Sequence, residues 1–419
     1  MSLEKIKLTH PTKKINGTVQ LTGSKSESNR ALIIQALSNG VVEVKNLSEA
    51  ADTVIMREAL HLAAQATPQS LTTINIGPAG TAMRFLTSYL NLAKGHFKLT
   101  GTERMQQRPI GILVEALKSI GANIQYEKKA GYPPIEIKGD IFQSNAEVSI
   151  QGDVSSQYIS SLLLIAPSLK RGLRVNITGE LTSRPYVSMT LNMLQEAGIQ
   201  YEWVDNANAI YIAPQSFQQS TIYVEPDWSA SSYWYAIVAL SNQGSVVLPG
   251  LKAHSLQGDI AIVDIMSHFG VASSFEEEGL RITKVNDGTS QTHFDFKECP
   301  DLAQTIVALA AAIGRDISIT GVETLKIKET DRLAALKTEI EKFGATIVTD
   351  GNTYHVKTAN VVVPKKVTFD TYEDHRMAMA FAPLAMVFDE VHINEPMVVE
   401  KSYPAFWEHL QNQGFQIAK

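Results

Sequence analysis

LVEALKSIGANIQYEKKAGYPPIEIKG, residues 113–139, reads as an amphipathic helix stopped by the glycine at 121 and followed by two strand-like runs with a turn between them. The same plan recurs in LNMLQEAGIQYEWVDNANAIYIAP (191–214), IVDIMSHFGVASSFEEEGLRITK (262–284) and LKTEIEKFGATIVTDGNTYHVKT (336–358). The stopping glycines stand at 121, 198, 270 and 344, so successive intervals are 77, 72 and 74 residues. A truncated copy, HLQNQGFQIAK, ends the chain with its glycine at 414, a further 70 along, and a degenerate first copy fits MREALHLAAQATPQSLTTINI (56–76). Six units of about 70 residues account for the chain, a period too long for the common solenoids and suited to three units per domain. Alternating strands such as IEIKG and IYIAP among amphipathic helices predict an α/β protein of the α+β type, with helices packed under sheets, and not a parallel doubly wound sheet.

A chain of 419 residues exceeds one compact core, which implies two domains or three, with the boundary expected near IYVEPDWSASSYW (222–234). A net charge of −6 argues against a nucleic-acid binder, so any cationic cluster must be local. The single cysteine, Cys299, excludes an internal disulfide and a CxxC zinc site and suits a reducing compartment. The first residues, MSLEKIKLTHPTKK, carry no apolar signal segment, and the apolar runs SLLLIAPSL (161–169) and TIVALAAAIG (305–314) fall short of the roughly 20 residues a membrane span needs. The expectation is a soluble, cytoplasmic monomer with no nucleic-acid or membrane partner.

Polarity gathers where apolar helices should begin. In TGSKSESNRALIIQAL (22–37), Ser24 and Glu27 form a capping box ahead of a buried helix body that Ser38-Asn39-Gly40 stops. A plain structural helix accounts for the caps. It leaves unexplained Lys25 and Arg30, because a helix N-terminus already carries partial positive charge and prefers Asp or Glu. An anion at the mouth would explain them, since free N–H groups, the dipole and a lysine can share it.

The pattern returns in GPAGTAMRFL (77–86), RMQQRPIGILVEAL (104–117), GDVSSQYISSLLL (152–164), TSRPYVSMTL (182–191), DLAQTIVAL (301–309), KETDRLAAL (328–336) and DHRMAMAFAPL (374–384). The helices of the second and fourth are expected to start at Pro109 and Pro185. Each stretch by itself also fits routine helix capping or a solvated charge. Together they set Lys25, Arg30, Arg84, Arg108, Arg184, Lys328, Arg332 and Arg376 at or near helix mouths in an acidic protein, which predicts a cationic hollow for a small polyanion. GxGxxG, GxSxG, HExxH and any Gly-Lys pair are absent, and no metal-ligand spacing stands out, so neither a cofactor nor a metal is expected.

GSKSESNRAL, AGTAMRFL, RMQQRPIG, SSQY, SRPY, PDLAQT, KETDRL and DHRMAMA follow one another in the order and spacing of the 5-enolpyruvylshikimate-3-phosphate synthase family, the 3-phosphoshikimate 1-carboxyvinyltransferases. The resemblance runs from about Lys14 to the end of the chain. It implies a two-domain inside-out α/β barrel, each domain three βαβαββ units, with residues 1–22 and 226–419 forming a discontinuous terminal domain, 23–225 an inserted one, and the active site in the cleft between them. It implies that phosphoenolpyruvate and shikimate 3-phosphate bind side by side, that the 5-hydroxyl adds to C2 as C3 is protonated, and that the tetrahedral adduct then loses phosphate.

By the same resemblance Lys25, Ser26, Arg30, Ser155, Ser156, Gln157, Ser183, Tyr186, Asp301 and Lys328 would hold shikimate 3-phosphate. Lys25, Gly80, Thr81, Arg108, Gln157, Arg332, Arg376 and Lys401 would hold phosphoenolpyruvate. Asp301 would act as base toward the 5-hydroxyl and Glu329 as proton donor to C3, with Lys25 assisting. Several arginine forks suit a ligand with a carboxylate and a phosphate. The chain departs from the family at Pro78, where Asn is usual, at Phe85, where Pro is common, and at Thr324, often Asn; loss of the first Asn removes a hydrogen-bonding option near phosphoenolpyruvate.

Two other readings stand beside this one. The UDP-N-acetylglucosamine 1-carboxyvinyltransferases share the fold and the phosphoenolpyruvate chemistry but typically carry a reactive Cys in a loop of the first domain, whereas the sole Cys299 precedes Asp301. A catalytically silent anion-binding scaffold is the other, and Lys25, Asp301 and Glu329 speak against it.

Overall fold

A computed structural model describes residues 4–206, 208–285 and 288–419. Contacts divide the chain into one unit of Met1–Thr22 with Glu225–Lys419 and another of Gly23–Val224. The first three residues of the terminal segment expected from the sequence lie outside the described residues, as does residue 207 within the second repeat copy.

In the Gly23–Val224 unit, strands Leu71–Asn75, His96–Thr100, Ile135–Lys138 and Asn123–Tyr126 make one sheet in that spatial order, the first pair parallel and the others antiparallel. Helix Gly80–Tyr89 links the parallel strands and helix Gly111–Ser119 leads into the closing hairpin, which spells βαβαββ. Strands Glu147–Gln151, Leu173–Thr178, Ala209–Ile212 and Glu202–Val204 repeat it around helices Ser156–Ile165 and Arg184–Glu196. The third copy is the degenerate one. Val42–Lys45 pairs in parallel with Ser220–Tyr223, but helix Ala51–Ala64 runs straight into Leu71–Asn75, a strand of the next sheet, so residues 56–76 hold a helix and one strand and no hairpin of their own.

The other unit has three four-stranded sheets of the same order: Lys14–Thr18, Gln243–Leu248, Gly279–Lys284, Val271–Glu276; His293–Asp295, Ile317–Thr320, Thr353–Lys357, Thr346–Asp350; and Lys366–Phe369, Glu390–Asn394, Lys5–Thr9, Gln416–Ala418. The truncated copy at the end of the chain is completed from its beginning. Lys5–Thr9 lies antiparallel between Glu390–Asn394 and Gln416–Ala418, filling the place of the missing strand.

The stopping glycines do what their spacing implies. Gly121, Gly198, Gly270, Gly344 and Gly414 have φ of 110°, 86°, 74°, 94° and 94°. At Gly121 a Cβ would stand 2.2 Å from the Phe142 carbonyl oxygen and at Gly344 2.1 Å from that of Asn360, so close backbone approach forbids a side chain there as well.

Burial is inverted relative to a doubly wound protein. Strands such as Leu173–Thr178 and Glu147–Gln151 alternate buried with exposed or half-buried residues, so each sheet turns one face outward. Helices carry the interior: every residue of Ala303–Ala312 and His375–Phe381 is buried, and in Trp228–Leu240 only Ser229 and Ala239 are not. The first two are helices whose mouths the sequence marks as polar, and the third starts in the stretch read as the domain boundary. Among the described residues no helix is long and apolar enough to cross a membrane.

Candidate active site

In the Gly23–Val224 unit, helices Lys25–Leu37, Gly80–Tyr89, Ser156–Ile165 and Arg184–Glu196 pack on one another. The first starts as its sequence dictates, with Ser24 Oγ accepting from the Glu27 N–H at 3.4 Å. Lys25 Nζ donates to Asp52 Oδ2 at 3.2 Å, and Asp52 is itself 2% exposed at the head of helix Ala51–Ala64. Ser155 caps its helix by accepting from the Gln157 N–H, and the Gln157 amide reaches Thr81 Oγ1 at 3.2 Å, tying two mouths together. Ser183 caps the fourth helix in a left-handed conformation, φ 52°, a strained place for a serine.

Arg30 is 2% exposed. Its Nε donates to Thr190 Oγ1 at 2.7 Å, Nη1 to the Ser26 carbonyl at 2.8 Å, and Nη2 to Ser160 Oγ and the Tyr186 carbonyl at 3.2 Å each. The rings of Phe85 and Tyr186 lie 5.3 and 5.9 Å from its guanidinium carbon. None of these acceptors is a carboxylate. Burial lowers its pKa to about 10, which leaves it a cation at neutral pH. Apart from the buried Glu27 carboxylate, which favours its charge, this buried cation is bonded to neutral groups, a cost in free energy that an anionic ligand would offset.

Arg108 lies against the backbone of Gly80, where an added Cβ would come within 2.7 Å of Nη1. Its helix begins at Gly111 and not at Pro109, because Ile110 serves as the cap. Helix Arg184–Glu196 likewise takes Pro185 as its second residue and not its first. Two expected mouth cations belong elsewhere. Arg84 turns inward and donates to the Gly80 and Pro109 carbonyls at 3.1 and 3.4 Å, bracing the loop that carries Arg108. Arg184 lies over the Trp203 ring at 5.0 Å.

In the other unit the helices Trp228–Leu240, Arg332–Glu341 and His375–Phe381 each pack against Ala303–Ala312. Asp331 and Asp374 cap the second and third by accepting from the Ala334 and Arg376 N–H groups. Asp301 is no cap; it sits in the tight turn Pro300–Leu302 that precedes Ala303–Ala312. Arg332, 2% exposed, is the hub. Its Nε donates to Asp374 Oδ2 at 2.7 Å, Nη1 to Asp301 Oδ1 at 3.0 Å and Nη2 to Glu329 Oε2 at 2.9 Å. Arg376 takes the other Asp301 oxygen, Nη2 to Oδ2 at 2.8 Å, and reaches the Tyr233 hydroxyl through Nη1 at 3.2 Å and Ser229 Oγ through Nη2 at 3.4 Å. Lys401 Nζ lies 2.8 Å from Glu329 Oε1. Lys328 directly precedes Glu329, just after the tight turn Glu323–Ile327. Asp301, Glu329, Arg332, Arg376 and Lys401 therefore form one connected ionic cluster.

Burial alone would lower the pKa of both arginines. Asp374, Glu329 and Asp301 more than offset it for Arg332, and Asp301, Tyr233, Asp259 and Asp227 do so for Arg376, so both stay charged. Burial pushes the Tyr233 hydroxyl up to about 12. Burial, and then the Asp301 carboxylate, raise Asp259 to about 7. Cys299, 3% exposed, has its thiol pushed upward by burial, the reverse of what a nucleophilic thiolate needs.

Asp301 is thus a carboxylate bridging two guanidinium groups, 20% exposed at its side chain. An anion that drew one guanidinium away would raise its basicity. The sequence reading named these groups but missed their holders: Asp374, Asp52, Thr190, Ser160, Tyr233 and Ser229. Asp374 had a signal, as an Asp opening the apolar run HRMAMAF; Thr190 and Ser160 lie mid-helix and had none.

The sequence model of the family described as EPSP synthase (3-phosphoshikimate 1-carboxyvinyltransferase) matches residues 9–410. A 3-phosphoshikimate 1-carboxyvinyltransferase of Bacteroides fragilis is 45% identical over 411 residues, 96% of this chain and 96% of that one. Another, of Photobacterium damsela subsp. piscicida, is 38% identical over 421 residues, 96% of this chain and 97% of its own. Among solved structures, an EPSP synthase from Acinetobacter baumannii aligns with a TM-score of 0.78 at 19% identity, covering 99% of this chain and 100% of that one. That degree of likeness speaks to the fold.

Proposed function

The chain belongs to the EPSP synthase family and transfers the enolpyruvyl group of phosphoenolpyruvate to shikimate 3-phosphate in the shikimate pathway, and from that premise we propose how its residues divide the work. Arg30, Ser26, Ser155, Ser156, Gln157, Ser183, Tyr186 and Lys328 hold shikimate 3-phosphate. Arg108, Thr81, the backbone at Gly80, Arg332, Arg376 and Lys401 hold phosphoenolpyruvate, with Gln157 and Lys25 touching both. Each set draws on both units: Lys328 of the first belongs to the Glu225–Lys419 part, and Gly80, Thr81 and Arg108 of the second belong to Gly23–Val224. Bound substrates expel water from around the charges. The protein works as a cytoplasmic monomer.

Asp301 accepts the proton of the 5-hydroxyl as that oxygen bonds to C2 of phosphoenolpyruvate. Once Arg332 and Lys401 turn from Glu329 to phosphoenolpyruvate, Glu329 takes up a proton and, with Lys25 assisting, delivers it to C3, so the double bond becomes the tetrahedral adduct. Return of a C3 proton to Glu329 and departure of phosphate, which takes up the proton held by Asp301, restore the double bond in the product and leave both carboxyl groups as they began. The observation that carries this assignment is the grip of Arg332 and Arg376 on the two oxygens of Asp301, 3.0 and 2.8 Å. Phosphoenolpyruvate engaging those guanidiniums loosens that grip, which couples arrival of the electrophile to activation of the base. Positioning two reactants this way supplies up to about 7–11 kcal/mol of the barrier reduction.

Incubation with both substrates should give inorganic phosphate and an enolpyruvyl ether in equal amounts. UDP-N-acetylglucosamine in place of shikimate 3-phosphate should give neither. Product from the UDP-sugar, or none from shikimate 3-phosphate, would overturn the reading.

A further inference from the structure

Asp259 is a carboxyl group that the reaction does not use and that water does not reach. It stands in the tight turn Gly258–Ala261, 2% exposed. Oδ1 has no hydrogen-bond partner, and Oδ2 is bonded to the Ser229 hydroxyl and to no other described group. Ser229 Oγ in turn accepts from Arg376 Nη2 at 3.4 Å, and the same Nη2 donates to Asp301 Oδ2 at 2.8 Å. The groups facing Asp259 are Ser229 and Asp227 at the head of helix Trp228–Leu240, Asp301 and Cys299 from the turn before helix Ala303–Ala312, and Arg376 from helix His375–Phe381.

A buried carboxylate with one hydrogen bond and an empty oxygen is costly, whereas a buried carboxylic acid is tolerable. The charge state of Asp259 also matters to its neighbours. With Asp259 neutral, Asp301 is, among the described residues, the one carboxylate bonded to Arg376, whose remaining acceptors there are the hydroxyls of Ser229 and Tyr233. With Asp259 ionised, a second negative charge stands one hydroxyl away from the same guanidinium.

We propose that Asp259 is a positioning residue for the Asp301–Arg376 pair: protonated, it leaves the positive charge of Arg376 available to an incoming anion, and ionised, it competes for that charge and weakens the hold on phosphoenolpyruvate. The proposal rests on the function assigned above. Burial and the Asp301 carboxylate, which raise Asp259 to about 7, bring this exchange into the physiological range.

The test is the KM for phosphoenolpyruvate, at saturating shikimate 3-phosphate, in the wild type and in Asp259→Asn from about pH 6 to about pH 8.5. Taking the ratio of wild type to variant cancels the titration of the substrate's own phosphate. Charges this close, only partly screened by protein, make the ratio rise roughly tenfold across the range. A second variant, Ser229→Ala, removes the hydroxyl that favours the ionised form, so its rise in KM moves to higher pH. A flat ratio with product still forming would overturn the role of Asp259 and leave the assigned reaction standing. Failure of the wild type to form product would overturn both. Should Asp259→Asn fail to fold, an unmoved profile in Ser229→Ala overturns the proposal by itself.

Discussion

Replacing Asp301 by Asn separates its two jobs. The side chain keeps its shape, but one oxygen becomes an NH2 that meets a guanidinium N–H where Oδ1 now accepts from Arg332 at 3.0 Å or Oδ2 from Arg376 at 2.8 Å. One charge-assisted bond is lost, about 1.5–3 kcal/mol. Arg332 retains Asp374 at 2.7 Å and Glu329 at 2.9 Å, so the loss falls on buried Arg376, which keeps the hydroxyls of Tyr233 and Ser229, and a urea unfolding curve reads that cost separately from turnover. Turnover suffers far more. Loss of a positioned base removes about 10²–10⁴ in rate, roughly 3–5 kcal/mol of barrier. Binding moves the other way, because taking a negative charge from between two guanidiniums makes the anion site more cationic. Initial-rate phosphate release, with both substrates varied, should show kcat down at least about a hundredfold and the KM for phosphoenolpyruvate unchanged or lower. A kcat within about threefold of the wild type would refute the base role, and a KM rising in step with the loss would make Asp301 a binding scaffold only.

Gly80→Ala would put a methyl group 2.7 Å from Arg108 Nη1 and displace the guanidinium, so the KM for phosphoenolpyruvate should rise about tenfold or more while that for shikimate 3-phosphate holds; equal shifts in both would contradict the assignment of Arg108. Thr190→Val strips Arg30 Nε of its 2.7 Å acceptor and should raise the KM for shikimate 3-phosphate with little effect on phosphoenolpyruvate, at a stability cost of about 1–3 kcal/mol read from urea unfolding; unchanged kinetics would place Arg30 outside the substrate site. His10 accepts from the Lys13 N–H through Nδ1 at 3.1 Å and faces the Gln413 carbonyl through Nε2 at 3.2 Å, which suits the neutral ring with its proton on Nε2. Burial, opposed by that carbonyl, lowers its pKa below 6.5, so the unfolded chain binds a proton the native state resists. Stability is then full above about pH 6.5 and declines as pH falls below it; urea midpoints for His10→Gln should fall less on acidification than those of the wild type, and parallel slopes would remove His10 as the cause.

The repeat was legible because a helix ending at a glycine with positive φ is a local event that leaves a local mark, as at Gly121 and Gly344. Completion of the last sheet was not. The pairing of Lys5–Thr9 with Glu390–Asn394 and Gln416–Ala418 joins opposite ends of the chain, and no neighbouring residue announces it. The first copy misled for a related reason: residues 56–76 have the composition of helix and strand, but the strand belongs to the next sheet. At the site, sequence revealed which cations and acids stand near helix starts, and Arg332, Asp301, Glu329 and Arg376 do gather. It could not reveal which way a side chain turns from its helix, so Arg84 and Arg184 were counted with the others although one braces a loop and the other packs on Trp203. A counter-ion such as Asp52 was hidden among ordinary acids of a helix's first turn.

The account turns on residues of both units serving one pair of substrates. A crystal structure with shikimate 3-phosphate and phosphoenolpyruvate bound measures that directly. It should show Arg30, Ser155 and Ser183 on the first, Arg108, Arg332 and Arg376 together on the second, and Asp301 within hydrogen-bond reach of the 5-hydroxyl. Substrates contacting the side chains of one unit alone would contradict it.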